Sequence, residues 1–458
     1  MSSNERTTCL VVGGGPAGMV LGLLMARAGV ETTVLEKHAD FLRDFRGDTV
    51  HASTLTLLDE LGLGERFAAL PHRELDRVQV QLDAGRVQVG DLSRLPGAHQ
   101  HIALVPQWDF LDLMADAAEE EPTFTLRRNA EAIGLLHDGK RVVGVRYRDR
   151  TDGSEHEIRA GLTVACDGRG SAMRAAAGLV PRSFGVPIDV WWFRLPRRET
   201  DPAGGVGRIS GGQFAVLIDR GDYWQCAFLI AKGSDAAMRA AGLERFRERI
   251  AALLPWMADR LGALTSLDEV KLLDVRLERL RSWHREGLLL IGDAAHAMSP
   301  VGGVGINLAV ADAVAAARML APALRSGGIV PRSLLRKVQW RRWWPTALIQ
   351  GGQRLAHRAV LSGRAATAST PVPDTADPTG GTVPTAPTEA LPRPLRLLRR
   401  FPVLQGVPGR LIAIGPLPEH APDWARRSPE RAAPPGGERD GLQEVVRPDH
   451  GAPHVGDR

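Results

Sequence analysis

Residues 8–29 read TCLVVGGGPAGMVLGLLMARAG, and the fold is decided there. Thr8 to Val12 is an apolar run of the length of a buried parallel strand, and Met19, Val20, Leu23 and Leu24 repeat at helical spacing toward Gly29. Between them, Gly13-Gly14-Gly15-Pro16-Ala17-Gly18 is G-x-G-x-x-G in the strand–turn–helix context that dinucleotide binding needs. Gly13 permits the tight turn, Gly15 lets a pyrophosphate approach the backbone, and Gly18 lets the helix lie close to the strand, with Pro16 and Ala17 in the same loop. A second strand, Glu31 to Leu35, delivers Glu36 where its carboxylate can accept hydrogen bonds from a ribose. On its own the motif indicates an ADP-containing dinucleotide and nothing narrower.

Two later strand ends carry similar chemistry. Leu162 to Cys166 is apolar and ends in Asp167-Gly168-Arg169-Gly170-Ser171, after which Ser171 caps a helix carrying Arg174. Leu288 to Ile291 is followed by Asp293, His296, Pro300 and a group of glycines, and then by the Ala-rich helical stretch Ile306 to Leu320. Such a junction places backbone N–H groups and a positive helix N-terminus at the carboxyl edge of a sheet. Elsewhere, Arg46 stands in a charged loop, and Gln107 precedes a helix from Phe110 to Glu120 for which Asp109 is the expected N-cap.

The expected architecture is α/β, a Rossmann-like dinucleotide-binding domain with an inserted, mainly antiparallel β-sheet for substrate. Residues 1–75, 101–180 and 277–364 form the first domain and its helices, including a three-stranded meander before Asp167. Residues 76–100, a valine-rich hairpin turning at Asp83-Ala84-Gly85, and 181–276, with aromatic strand-like runs such as Val190-Trp191-Trp192-Phe193, form the sheet. The tryptophans around Trp340 are expected to pack on the neighbouring domain. Residues 365–394 read as a Pro/Thr-rich linker or insertion, 395–421 as a C-terminal docking segment and 422–458 as a disordered tail.

Bulk properties exclude other classes. With 458 residues, 44% of them hydrophobic, 24% charged and a net charge of +5, the chain reads as an ordinary globular protein. Its arginines are scattered and no nucleic-acid-binding signature accompanies them, so nucleic acid is not an expected partner. Cys9, Cys166 and Cys226 are too widely spaced for a disulfide framework, which suits a reducing cytoplasm. The first residues lack a signal-peptide core, and no apolar run approaches the roughly 20 residues of a spanning helix. His99 and His101 share an expected strand face, but no cluster of further ligands surrounds them, and no metal site is expected.

Taken together, Gly13 to Gly18 with Glu36, Cys166 to Arg174, and Gly292-Asp293 through Asp312 resemble the three ordered motifs of the single-component (group A) FAD-dependent aromatic monooxygenases of the p-hydroxybenzoate hydroxylase type. The similarity spans about residues 5 to 365. It implies noncovalent FAD, with Gly13, Gly15 and Gly18 at the pyrophosphate, Glu36 at the adenosine ribose, Arg46 and Gln107 at other parts of the cofactor, and Asp293 at the ribityl chain. The amides around Gly305 and Ile306 would face the flavin pyrimidine edge, and Asp167 would serve both FAD and the nicotinamide. The implied reaction uses NADPH or NADH and O₂ to hydroxylate or epoxidise a small aromatic or polyketide-like substrate through a flavin C4a-hydroperoxide. The catalytic base is not identified: Pro300, His296, Tyr223 and Gln213 are candidates, with Trp192 and His284 beside them, and a structural role competes for each. A related FAD-dependent reductase and a non-catalytic flavin- or ligand-binding protein are the alternatives. The Trp-x-Trp-x-Ile-Pro signature of flavin halogenases is absent.

Overall fold

The structure is a computed structural model that describes residues 5–42, 49–83, 85–201, 204–361, 400 and 406–428. Arg46, Ala84, the 365–394 segment and the tail beyond 428 lie outside the described residues.

Five strands of the main sheet run parallel in the order Leu288–Leu290, Glu155–Ala165, Glu5–Val12, Thr32–Leu35 and Phe124–Arg127, and His284–Arg285 adds an antiparallel edge. Glu5–Val12 lies at the centre because both of its faces are apolar. Cys9 and Val11 point into the cluster built with the helices Pro16–Arg27 and Gly305–Arg325, and Leu10 and Val12 point into the one built with the Ala130–Asp138 and Arg141–Asp149 strands. From this central strand the chain crosses to Thr32–Leu35 on one side and only later fills the other. The carboxyl ends of Glu5–Val12 and Glu155–Ala165 therefore flank a topological switch point, the crevice where open α/β sheets bind ligands.

A second sheet has seven strands, ordered Lys271–Leu273, Ile188–Pro196, Tyr223–Ala231, Gln213–Asp219, Gly205–Ser210, Arg77–Leu82 and Gly85–Asp91. All its pairings are antiparallel except Gly205–Ser210 with Arg77–Leu82, the parallel join that unites the early hairpin with the later strands. Period-two alternation separates its faces. Trp191, Phe193, Leu217, Trp224 and Phe228 pack under Phe246 and Ile250 of the Leu243–Leu253 helix, so these aromatics are core. Val190, Trp192, Val216, Ala227 and Leu229 form the opposite face.

Several expectations change. The 107–119 helix begins at Gln107 with Pro106 as its N-cap, and Asp109 sits inside the first turn, because Pro106 supplies the carbonyl that starts the helix. Trp340 and Trp344 are 66% and 44% exposed, so only Trp343 of that group packs inward, on the meander side of the main sheet. Residues 422–428 are packed on the body: Ala425 is fully buried, and Arg427 abuts Gly62. A small sheet of Thr49–Val50, Ile102–Leu104 and Arg73–Leu75 had no sequence signal strong enough to announce it. Finally, Gly305–Arg325 is long and apolar enough to cross a membrane, and 72% of its most apolar window is buried inside the protein. Asn307, Asp312 and Arg318 interrupt the run in sequence, and the fold houses the first two in its interior.

Candidate functional site

The three motifs meet at one sheet edge. Backbone bonds continue the ladder past the strands: Cys166 N donates to Val12 O at 2.7 Å, Ile291 N to Ala165 O at 3.1 Å, and Gly13 N to Leu35 O at 2.8 Å. Asp293, Asp167, the glycine loop and Glu36 therefore stand side by side at adjacent strand ends. A Cβ on Gly13, whose φ is +104°, would lie 2.6 Å from the Cys166 carbonyl oxygen, so the two loops touch through bare backbone.

Within the glycine loop the positions differ in kind. A Cβ on Gly18 would lie 1.9 Å from Gly13 O, whereas one on Gly15 would meet no atom within 4 Å. Gly14 was not singled out by the motif, yet its N–H donates to Glu36 Oε2 at 2.9 Å and a Cβ there would press on Glu36 and Phe41 at 3.1 Å. The second Glu36 oxygen accepts from His38 N at 3.0 Å. Glu36 is thus oriented by the loop it serves, and the Pro16–Arg27 helix starts beside it without a side-chain cap.

Asp167 organises its own turn: Ser171 Oγ donates to Oδ1 at 2.5 Å and Met173 N to Oδ2 at 3.0 Å, while burial pushes its carboxyl above the usual range. Ser171 caps the following helix by accepting from Arg174 N at 2.9 Å. Arg174, which sequence reasoning placed only as a helix residue, joins two motifs, donating to Ala294 O at 3.1 Å and Arg169 O at 2.6 Å. Arg169 in turn lies 3.4 Å from Asp293 Oδ2, and Asp293 remains one-third exposed on the 3₁₀ turn Gly292–Ala294.

Below that turn is an ionic hub. Asp312, fully buried, accepts from Gly292 N at 3.1 Å and Arg342 Nε at 3.1 Å and bonds His296 Nε2 at 2.6 Å. Burial alone would raise the Asp312 carboxyl, but His296, Arg342 and the Gly292 amide outweigh it and hold it below the ordinary value. His296, 2% exposed and packed on Trp283, orients this loop from beneath and does not reach its outer surface. Pro300 sits in the following bend, where its carbonyl accepts from Gly303 N at 3.0 Å. The long helix Arg332–Leu361 pins the bend, since Gln353 bonds Ser299 N and donates to the Ser299 and Val301 carbonyls, and His357 bonds Ser299 Oγ. The polar residues Arg342, Thr346, Gln350, Gln353 and His357, spaced so that they share one helical face, were the available signal.

Gly305–Arg325 begins just beyond, with no side-chain cap and open space over Gly305. Its first amides, those of Gly305 and Ile306 included, have no carbonyl a turn earlier to bond. Gln107 follows the Ile102–Leu104 strand, whose neighbour Thr49 donates to Gly303 O at 2.9 Å. The other candidates separate. Gln213 has the parity of Ala215 and Leu217 and so falls on the helix-covered face of the second sheet, away from the open face. Tyr223 has the open-face parity but begins its strand opposite Pro196, under the Arg194 guanidinium. His284 is on the outer edge of the main sheet. Of these candidates only Trp192 is shown in the open-face cluster. Among the described residues no cluster suits a metal ion.

The C-terminal segment packs beside the loop. Ile412 packs against two clusters, that of Met298, Val304 and Leu308 at the loop and that of Leu92, Ile102 and Leu104, against which Ile218 of the second sheet also packs. Its carbonyl accepts from His51 Nδ1 at 2.8 Å. Burial pushes His51 down from 6.5 to about 4. Because the folded value lies below the unfolded one, the unfolded chain gains the proton first as pH falls. The stabilisation, about 3 kcal/mol, is complete above the unfolded value and is lost between 6.5 and about 4. Thermal unfolding followed across that range should show the loss in the native chain, and His51→Gln should flatten it; an unchanged pH profile in the variant would refute the assignment.

Two glycine cradles at uncapped helix starts, a carboxylate at the second strand end and a half-open Asp293 between them fit a long molecule with pyrophosphate, ribose and ribityl parts. The fold and the site define a flavin-dinucleotide-binding α/β protein. The chain belongs to the family described as FAD binding domain, whose profile matches residues 6–342, and it is an FAD-dependent monooxygenase with NAD(P)H as cosubstrate. It is 35% identical to 6-methylpretetramide 4-monooxygenase of Streptomyces rimosus over 81% of this chain and 88% of that one. Identity is 29% to 12-dehydrotetracycline 5-monooxygenase/anhydrotetracycline 6-monooxygenase of Streptomyces rimosus subsp. rimosus, over 68% of this chain and 61% of the relative. Pseudomonas aeruginosa PqsL, solved with 2-aminobenzoylacetate, superposes with a TM-score of 0.67 at 19% identity, covering 79% of this chain and 98% of that one, which speaks for the fold alone.

Proposed function

We propose that the substrate is a fused-ring aromatic polyketide bearing a phenol or enol, hydroxylated between the Met298–Leu308 loop and the open face of the second sheet. The observation that carries this reading is the placement of Ile412, which packs against both the loop cluster of Met298, Val304 and Leu308 and the cluster of Leu92, Ile102 and Leu104 that Ile218 also joins, and so sets an apolar wall between the loop and the second sheet. Such a wall suits a broad, flat, weakly polar ligand. The names of the two Streptomyces relatives support the same class.

In this reading the two sheets act as cofactor and substrate domains, divided near residues 76, 101, 181 and 277. Gly13, Gly15, Pro16, Ala17 and Gly18 hold the FAD pyrophosphate, Glu36 the adenosine ribose and Asp293 the ribityl hydroxyls, with Gln107, Asp167 and Arg46 toward other parts of the bound cofactors. FAD, when bound, carries electrons from NAD(P)H and activates O₂. The chain positions and shields. The Gly305 and Ile306 amides favour negative charge at the helix start. Gln353, His357 and Asp312 keep the 292–301 loop rigid, and Ile412 and Trp192 exclude water from the reacting space. Free thiols at Cys9, Cys166 and Cys226 support a reducing compartment such as the cytoplasm.

To test this, FAD-loaded protein is given NADPH or NADH with a panel of simple phenols, quinolones and polycyclic polyketide aromatics, while O₂ uptake is followed. The expected result is cosubstrate oxidation stimulated by polycyclic phenols, with a product heavier by one oxygen atom. Ligand reduction without O₂ uptake would instead indicate a reductase, and no ligand-stimulated flavin reduction across the panel would sink the proposal.

A further inference from the structure

A cavity of about 500 Å³ lies on the outer edge of the main sheet, apart from the site above. Its lining joins Arg281, Ser282 and His284 of the edge segment to Arg332, Arg336 and Trp340 of the long helix. The last three stand four residues apart, so they share one helical face. Gln339 clamps the two walls, accepting from Trp283 N at 3.0 Å and donating to Arg281 O at 2.8 Å.

The charge placement runs against the fold's own interest. Arg332 and Arg336 are like charges at i and i+4 in the first turns of a helix whose N-terminus is already positive, and no acidic residue stands in its first turn. Neither arginine, nor Arg281, is ion-paired among the described residues. His284 is 4% exposed, and its Nδ1 has no hydrogen-bond partner, although burial and the nearby Arg332, Arg285 and Arg336 keep the ring below its ordinary pKa. Trp340, 66% exposed, offers a flat apolar surface at the rim. Uncompensated guanidinium forks, a helix start, a buried imidazole and an open indole form a receptor for an anion joined to a ring.

We propose that this cavity binds a phosphorylated nucleotide, its phosphate held by Arg332, Arg336 and Arg281 and its base resting on Trp340. The source is either the adenosine end of the nicotinamide cosubstrate or a separate free nucleotide. The proposal is independent of which substrate is hydroxylated, because its readout is nucleotide binding.

The test is calorimetric titration of FAD-loaded protein with 2′,5′-ADP, 5′-AMP and pyrophosphate. Saturable 2′,5′-ADP binding is expected, weakened by roughly tenfold or more in the Arg332→Ser/Arg336→Ser double variant. The variant's FAD content and visible spectrum should match those of the native chain. Trp340→Leu should weaken both nucleotides and leave pyrophosphate unchanged. Competition of 2′,5′-ADP with the cosubstrate in flavin reduction would identify the cosubstrate as the source, and binding without competition a separate nucleotide; either supports the site. Absence of saturation by about 5 mM, or equal affinity in native and double-variant protein, would overturn it.

Discussion

Asp293→Ala yields a folded protein that purifies with little FAD. Asp293 is one-third exposed at the end of the Leu288–Leu290 strand, beside the loop that carries Gly305, and its carboxylate is the acceptor nearest the middle of the proposed cofactor path. In the proposed placement, removing it leaves the ribityl hydroxyls without a charged acceptor. Hydrogen bonds to charged groups are each worth about 1.5–3 kcal/mol, so the FAD dissociation constant should rise by roughly 10- to 150-fold. The fold should tolerate the change, because Arg169, the partner at 3.4 Å, is itself one-third exposed and still joined to the Asp274 carbonyl at 3.2 Å. Asp293→Asn, which keeps an acceptor and loses the charge, should fall between. Fluorescence titration of apoprotein with FAD measures the effect, and an alanine variant that retained native affinity would remove Asp293 from the ribityl position.

Gly18→Ala and Gly15→Val should fail in opposite ways. At Gly18 the added methyl would stand 1.9 Å from the Gly13 carbonyl oxygen, inside a loop locked to Cys166 and Glu36, so the helix must lift off the sheet. Its whole inner side from Ala17 to Ala26 is buried, and the loss should be about 3 kcal/mol or more, read as a large drop in thermal midpoint or as insoluble protein. Gly15 has φ −74° and ψ −177°, an extended conformation open to any residue, and nothing lies within 4 Å of its missing Cβ. Valine there should leave the apoprotein about as stable as the native chain while filling the space proposed for the pyrophosphate, so FAD affinity should collapse. A stable Gly18→Ala, or a Gly15→Val with native FAD affinity, would show that the two glycines had been assigned the wrong roles.

Most of the candidate site was legible because its parts are local. A glycine turn, the acid ending the next strand and the Asp-Gly and Gly-Asp strand ends are each written within about ten residues, and the parallel sheet sets them side by side. The supports were less legible. Arg174 bridges loops 120 residues apart, and Gln353 pins a loop 54 residues upstream; each is an ordinary polar helix residue until its partner is placed. His296 shows the reverse, a reactive residue type in a motif position that the fold seals beneath Asp312 and Trp283. Gln213 and Trp192 were equal candidates in sequence, and only strand parity relative to the covering helix sends the first to the covered face and the second to the open one.

By itself the sequence determined the α/β class, the dinucleotide loop and the family, since hydrophobic period and glycine spacing report short-range geometry that any context must respect. Only the tertiary structure decided which face of the second sheet the Leu243–Leu253 helix covers, that the apolar Gly305–Arg325 helix is core, and that Ile412 returns from the far end of the chain to pack beside the 298–308 loop. Those facts depend on long-range packing, where the same leucine, tryptophan or arginine stabilises equally well wherever a complementary surface is brought to it, and no local pattern records which surface that is.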